Sequence, residues 1–320
     1  MSAEAVSAEV VSPDAVPDRA PGQRTVVVTG ASAGLGYHAA EQLAAKGHRV
    51  VLAVRNPERG AAAERSIRRH VDGADLAILH LDLADLTSVR AAAERLADLG
   101  PVHALLNNAG VVGSAERQET AQGFELQVGT NHLGHFAWTA LTLPLLDQHA
   151  GRVVHLGSIA HRFATLDPRD PLATGRYEGH RQYARSKLAV MLFGFELAER
   201  LADAGSSVAS VVAHPGLALD AAAPPRPDVA PTRSEPAWMR AGSGWVAQGK
   251  DAGAWPLVHA AVGDGVRSGE YWGPGGPLQF AGAPAVVPAR IRAHDRTAAA
   301  RLWTASERAT GVAFALDALV

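Results

Sequence analysis

The chain contains no cysteine. Disulfides, thiolate nucleophiles and cysteine-ligated metals are therefore excluded, and the composition is compatible with a reducing compartment. No apolar run approaches the roughly 20 residues that a membrane-spanning helix needs. The opening stretch, MSAEAVSAEVVSPDAVPDRAPGQR, has neither the basic segment nor the apolar segment of a secretory leader. Neither sign of charge is in excess. The 30 Lys and Arg face 32 Asp and Glu, a net of −2, so nothing points to nucleic acid or to an anionic membrane. These absences lead to the expectation of a cytoplasmic protein with no nucleic-acid and no membrane partner.

What is present is a core. Of 320 residues, 47% are hydrophobic and 19% charged, which is enough apolar matter for one large folded unit. Residues 1 to 22 lack periodicity and read as a disordered arm; residues 23 to 320 read as one domain. Short β-branched runs alternate with helical patterns: TVVVTG (25–30), a helix at 37–47, RVVLAVR (49–55), a helix at about 57–71, LAILHLDL (76–83), a helix at 87–100, and VHALLNNAG (102–110). Thr87 or Ser88 suits the start of the third helix. A long helix at about 120–148, GRVVHLGS (151–158), a helix at about 180–203 and SVASVVAHPG (207–216) continue the alternation. Strand–helix–strand units of this kind predict a doubly wound, Rossmann-type parallel sheet with helices on both faces, α/β in class. Residues 217–250 are rich in Pro and Gly and break the pattern, so they are expected to form a substrate loop or lid.

The turn TGASAGLG places Gly30, Gly34 and Gly36 between the first strand and the first helix. Glycines permit a tight turn and close approach of backbone to a phosphate, and a helix N-terminus offers free N–H groups. Its place inside a β-α-β unit favours dinucleotide binding over a structural turn. Where the second strand ends, a carboxylate suits a ribose 2′-hydroxyl. Here Arg55 stands there instead, and no acidic residue comes before Glu58. A guanidinium suits a 2′-phosphate, so NADP(H) is favoured over NAD(H); an exposed surface Arg is the plainer reading. Asp82 and Leu83 could border the adenine, or Asp82 could cap a turn. Asn107 could bond across the crevice at the strand ends or serve its own turn.

The stretch QYARSKLAVM sets Tyr183 and Lys187 one helical turn apart, on the same face. A free phenol has a pKa of about 10, and an adjacent ammonium is expected to lower it. Ser158 ends a strand whose tip reaches the same crevice, where its hydroxyl could bond a substrate oxygen. Asn131 sits inside a helix, an unfavourable place unless its amide or the local backbone has work to do. Taken singly, Ser158 and Asn131 favour structural roles; taken with the glycine turn they favour function. His132 and His135 flank Asn131, and His155 and His161 flank Ser158, without the spacing of a metal site. His161 reads either as facing a substrate or as an exposed loop residue.

These five features, TGASAGLG, NNAG, Asn131, Ser158 and YARSK, together resemble the short-chain dehydrogenase/reductase family. VRNPERG, SKLAV, HPG, GEYWGPGG and LWTASERATGV resemble its retinol-dehydrogenase-like branch. The resemblance implies a nicotinamide cofactor held by Gly30, Ser32, Ala33, Gly34, Leu35 and Gly36, by Arg55, Asp82 and Leu83, by Asn108, Ala109 and Gly110, by Tyr183 and Lys187, and by Pro215 and Gly216. It implies a catalytic set of Asn131, Ser158, Tyr183 and Lys187, hydride transfer between a secondary alcohol and a carbonyl compound, and Tyr183 as the acid/base. A small-molecule substrate with an apolar portion is expected, with Trp238 and Trp245 as candidate lining residues. The resemblance also allows pairing of copies through the helices at 120–148 and 180–203, as well as a monomer. Relatives often carry Thr where this chain has Asp220, which alters the expected contact with the nicotinamide. A nucleotide-binding sensor without turnover and a non-redox enzyme on the same scaffold are the other readings.

Overall fold

The computed structural model describes residues 22–113, 116–167, 169–175, 177–229 and 247–318. The region expected to be a disordered arm lies outside them apart from Gly22, as do Trp238 and Trp245. The chain runs β1 (Thr25–Thr29), α1 (Gly34–Ala45), β2 (Arg49–Val54), α2 (Pro57–His70), β3 (Leu76–His80), α3 (Leu86–Ala97) and β4 (Ala104–Asn107). A short turn, α4 (Leu126–Val128), passes through a π-helical segment, Gly129–Gly134, into α5 (His135–Asp147). Then come β5 (Arg152–Leu156), α6 (Gly179–Asp203), β6 (Ala209–Ala213), the two-residue strands β7 (Ala218–Leu219) and β8 (Gln248–Gly249), α7 (Trp255–Val262), β9 (Tyr271–Pro274), β10 (Pro284–Val286) and α8 (Arg296–Thr310).

Eight strands form the central sheet in the order β10-β9-β6-β5-β4-β1-β2-β3, with β7 and β8 paired separately. All neighbours in the large sheet are parallel except β10, which runs against β9. The expected doubly wound sheet is therefore present, with one reversed strand added at its edge. Strand residues alternate in direction, as a two-residue period requires. Val27, Val51, Leu105 and Val153 face a core closed by Phe136, Trp138, Leu143, Phe193 and Trp303. Val26, Val28, Val50, Leu52, Leu106 and Val154 face the other way, against Leu43, Ile67 and Leu257. Each fully buried Val, Leu or Phe of these cores contributes about 1.5–3 kcal/mol.

The starts of α2 and α3 are set by side chains with free oxygens. Asn56 accepts from Arg59 N at 2.7 Å ahead of Pro57, whose missing N–H costs nothing at a first turn. The third helix is capped by Asp85, which accepts from Thr87 N at 2.9 Å, and not by Thr87 or Ser88; the carboxylate lies two residues before Thr87 and reaches the free amide first. Ser88 Oγ instead accepts from Asp82 N at 2.9 Å. The strand order reverses direction between β1 and β4, and the crevice at the C-terminal strand ends there is where an open α/β sheet binds ligands. No helix among the described residues is long and apolar enough to cross a membrane.

Candidate active site

The glycine turn leaves β1 at Thr29 and enters α1 through Ala33, whose backbone is extended and whose side chain cannot cap. The first amides of α1 therefore have no side-chain partner at the cap. Gly30 and Gly34 hold positive φ, +69° and +55°, a conformation that favours glycine. A Cβ on Gly36 would come within 2.4 Å of Gly30 O and of Asn108 Nδ2, so this backbone crosses the turn too closely for any side chain. An uncapped helix start under side-chain-free backbone fits a pyrophosphate. Ser32 and Leu35 are half-buried at the rim of this turn, and Arg55 is exposed at the end of β2.

The turn after β4 is tied to β1. Asn108 Nδ2 donates to Thr29 O at 2.7 Å, and the amides of Asn108 and Ala109 both donate to Thr29 Oγ1 at 2.9 Å. Asn107 points away from the crevice and donates to Thr139 Oγ1 at 2.9 Å, so it serves the packing of α5. Asp82 does cap its own turn, accepting from Ala84 N at 2.9 Å. Leu83 is buried and packs on the end of the π-helical segment, where a Cβ on Gly134 would lie 2.3 Å from Leu83 O.

Asn131 lies in the π-helical segment. Such wide turns are rare and cluster at functional sites. Its side chain grips Val111 from both sides: Oδ1 accepts from Val111 N at 2.7 Å and Nδ2 donates to Val111 O at 3.0 Å. Nδ2 also donates to Ser186 Oγ at 2.9 Å, and Ser186 passes its proton to Tyr183 O at 2.8 Å. The buried serine of the YARSK stretch is thus the joint between the Asn131 turn and α6. A Cβ placed on Gly110 would sit 3.2 Å from Asn131 Oδ1 and 3.5 Å from Lys187 Nζ, so both side chains converge on the Cβ side of this turn.

Lys187 is 3% exposed and its ammonium donates to Leu156 O at 2.9 Å. Burial pulls its pKa down to about 8. Ser158 follows β5 and accepts from Ala160 N at 3.1 Å, and its hydroxyl lies near the Tyr183 phenol. Burial raises the Tyr183 pKa, and the Ser158 hydroxyl opposes that rise. The expected fall driven by Lys187 does not appear here. The ammonium is turned toward the Leu156 carbonyl and lies 6.0 Å from the centre of the tyrosine ring, while the loss of water acts on the whole phenol.

Pro215 and Gly216 follow β6. Gly216 has φ +67°, and a Cβ there would meet Phe280 O at 2.3 Å, so the chain from β9 to β10 presses directly beneath this turn. Pro215 O accepts from Gln248 Nε2 at 2.9 Å. Asp220 is paired with Lys250 at 2.5 Å, which turns its carboxylate into an anchor between the two described ends of the 217–250 segment. Arg226 is clasped by Glu41 of α1 through bonds of 2.6 and 2.8 Å, and Tyr37 donates to the same carboxylate at 2.7 Å.

His161 is not the exposed loop residue of the plainer reading. It is 1% exposed, with Nδ1 against Ser158 O at 2.5 Å and Nε2 accepting from Arg290 N at 3.4 Å. His132, His135 and His155 are also buried, with pKa values pushed to about 3, about 4 and about 3 by desolvation. No group of metal-ligating side chains occurs among the described residues. Thr29 and Ser186 lie inside the TGASAGLG and YARSK motifs and His135 lies four residues after Asn131; their parts in the hydrogen-bond framework depend on contacts that the motifs do not specify.

Residues 24–223 match the model of the short chain dehydrogenase family. Mouse retinol dehydrogenase 12 is 42% identical over 198 residues, a match spanning 61% of this chain and 62% of that protein. Mouse polyprenol dehydrogenase is 38% identical over 299 residues, 90% of this chain and 84% of that protein. A crystal structure of an uncharacterized protein from Mycobacterium paratuberculosis superposes with a TM-score of 0.74 at 35% identity, covering 92% of this chain and 96% of that one. With the parallel sheet, the glycine turn and the YARSK helix in place, the chain belongs to the short-chain dehydrogenase/reductase family, in its retinol-dehydrogenase-like branch.

Proposed function

We propose that the protein is an oxidoreductase that interconverts a secondary alcohol and a carbonyl compound, with NADP(H) preferred over NAD(H) and Tyr183 as the acid/base. The observation that carries this reading is the convergence of the Asn131 amide and the Lys187 ammonium on the Cβ side of Gly110, with Ser158 close enough to Tyr183 to act on its hydroxyl. The cofactor, when bound, supplies or accepts the hydride. Its pyrophosphate suits the uncapped turn of Gly30, Ser32, Ala33, Gly34, Leu35 and Gly36. Arg55 suits a 2′-phosphate, Asp82 and Leu83 the adenine, Asn108 to Gly110 the middle of the crevice, and Pro215 and Gly216 its far wall. Lys187 suits the nicotinamide ribose.

The chain's own groups then divide the proton work. Burial keeps the Tyr183 hydroxyl protonated at neutral pH, which suits donation to the oxygen of a carbonyl as it gains negative charge. Ser158 offers a second hydroxyl beside the first and orients that oxygen. Lys187 retains most of its charge at pH 7, since its pKa of about 8 lies above it, which suits a hold on the hydroxyls of the nicotinamide ribose. Asn131 fixes the turn along which a proton returns. Similarity to proteins named retinol and polyprenol dehydrogenase supports a substrate with an apolar portion.

Tyr183→Phe tests the assignment. NADPH affinity by fluorescence titration should stay within about twofold, while turnover of a carbonyl panel should fall by at least about 100-fold, the usual worth of a general acid. Turnover within about tenfold of the parent protein would remove Tyr183 from the mechanism.

A further inference from the structure

His135 is buried, 3% exposed, one turn beyond Asn131, and both of its ring nitrogens are engaged. Nδ1 lies 3.1 Å from the main-chain oxygen of Asn131. Nε2 lies 2.9 Å from Thr29 Oγ1, the hydroxyl that also receives the amides of Asn108 and Ala109. One imidazole therefore spans from the turn that carries Asn131 to the junction of β1 and β4. Two arguments fix the position of its proton. A carbonyl can only accept, so the nitrogen facing Asn131 O carries the hydrogen. Thr29 Oγ1 already receives two N–H groups, so its remaining service is to donate, and the nitrogen facing it is the acceptor. The competing acceptor, Leu106 O, is farther at 3.4 Å.

We propose that His135 is a positioning residue, a neutral imidazole protonated at Nδ1 that ties the Asn131 carbonyl to Thr29 and so locks the proton-handling turn in register with the cofactor-binding turns. Hydrogen bonds run in one direction through it: from the amides of Asn108 and Ala109 to Thr29, from Thr29 to His135, and from His135 to Asn131 O. Any slip of the Asn131 turn against the glycine turn breaks a buried bond in this chain. Burial and the nearby Lys187 charge both disfavour the imidazolium, which keeps Nε2 available as an acceptor. Lys187, His132 and His155 are the other titratable groups facing this region.

The arrangement rests on the oxidoreductase reading only for its turnover readout, and its tests separate the two. Long-range ¹H–¹⁵N correlation of the histidine-labelled protein, with the His135 signals assigned by their loss in His135→Gln, should show a neutral ring protonated at Nδ1 from pH 8 down to about 5. A ring protonated at Nε2, or an imidazolium in that range, overturns the proposal whatever the protein catalyses. Variants supply the second arm. Asn at 135 can reproduce the bond to Asn131 O, Gln can reproduce the bond to Thr29, and Phe keeps the volume with neither bond. His135→Phe should bind NADPH about tenfold more weakly, the equivalent of one lost buried hydrogen bond, and lose turnover. His135→Gln should keep most of the NADPH affinity but not kcat, and His135→Asn should keep more of kcat than of affinity. If His135→Phe matches the parent protein in both while the smaller Asn variant is worst, the ring is core packing and the proposal is wrong. Wild-type protein that binds NADPH and shows the expected tautomer, yet reduces no carbonyl, would count against the oxidoreductase reading alone.

Discussion

Lys187 should destabilise the protein that depends on it. Its ammonium is buried, and its pKa falls from 10.5 to about 8. The shift of 2.5 units, 10.5 minus 8, is worth about 3.4 kcal/mol at roughly 1.36 kcal/mol per unit. The sign follows from linkage. A base whose folded pKa is depressed releases its proton on folding between the two pKa values, so the unfolded chain binds more protons there and stability rises with pH. Below pH 8 the full penalty stands; it fades as pH rises through 8 toward 10.5. Lys187→Met removes the charge and keeps the length. At pH 7 the gain of about 3.4 kcal/mol is offset by about 1–3 kcal/mol for leaving Leu156 O without its donor, so the variant should be as stable as the parent protein or up to about 2 kcal/mol more so. The sharper quantity is the difference between pH 7 and pH 9, from which the carbonyl term cancels. Wild type should gain about 1.3 kcal/mol on the variant over that interval, read by equilibrium urea unfolding of both proteins. A difference that stays flat with pH, or that moves the other way, would mean that the ammonium is not desolvated as the geometry requires.

Other expectations follow from single contacts. Gly36→Ala places a methyl group 2.4 Å from Gly30 O, against backbone that cannot retreat; it should cost about 1–3 kcal/mol by overpacking and abolish NADPH binding in a fluorescence titration. Arg55→Asp should weaken NADPH by about 2 kcal/mol, roughly thirtyfold, through the loss of a charge-assisted bond, and leave NADH within about threefold, as isothermal titration would show. Because the Arg226–Glu41 pair is largely shielded, at 17% and 14% side-chain exposure, a double-mutant cycle of Arg226→Met and Glu41→Gln should give a coupling of about 1–2 kcal/mol, above the exposed-pair range.

The alternation of strands and helices was legible because its cause is local: β-branched runs that end in glycine turns, and helices with four-residue spacing. Asn131, Ser158, Tyr183 and Lys187 could be named from motifs, and the first and last of them converge on Gly110. What escaped reading depends on contacts distant in the chain. The long helix expected at 120–148 contains a π-helical segment at Gly129–Gly134, and no local pattern separates the wider turn from an α-helix. Thr29 and His135 are 106 positions apart, so their bond has no local signature. The tyrosine's acidity was misjudged for a related reason: spacing puts Lys187 beside Tyr183, but burial and the carbonyl of Leu156 decide where the ammonium points. Trp238 and Trp245, expected at the substrate pocket, lie outside the described residues.

The central sheet has two unlike margins. One ends in β10, three residues long, reversed, and opened by Pro284, a poor template for any further strand. The other ends in β3, a five-residue strand carrying a partly exposed Ile78 at 38%. Among the described residues, growth of the sheet by strand addition, whether in an assembly or in an aggregate, is disfavoured at the first margin and better accommodated at the second.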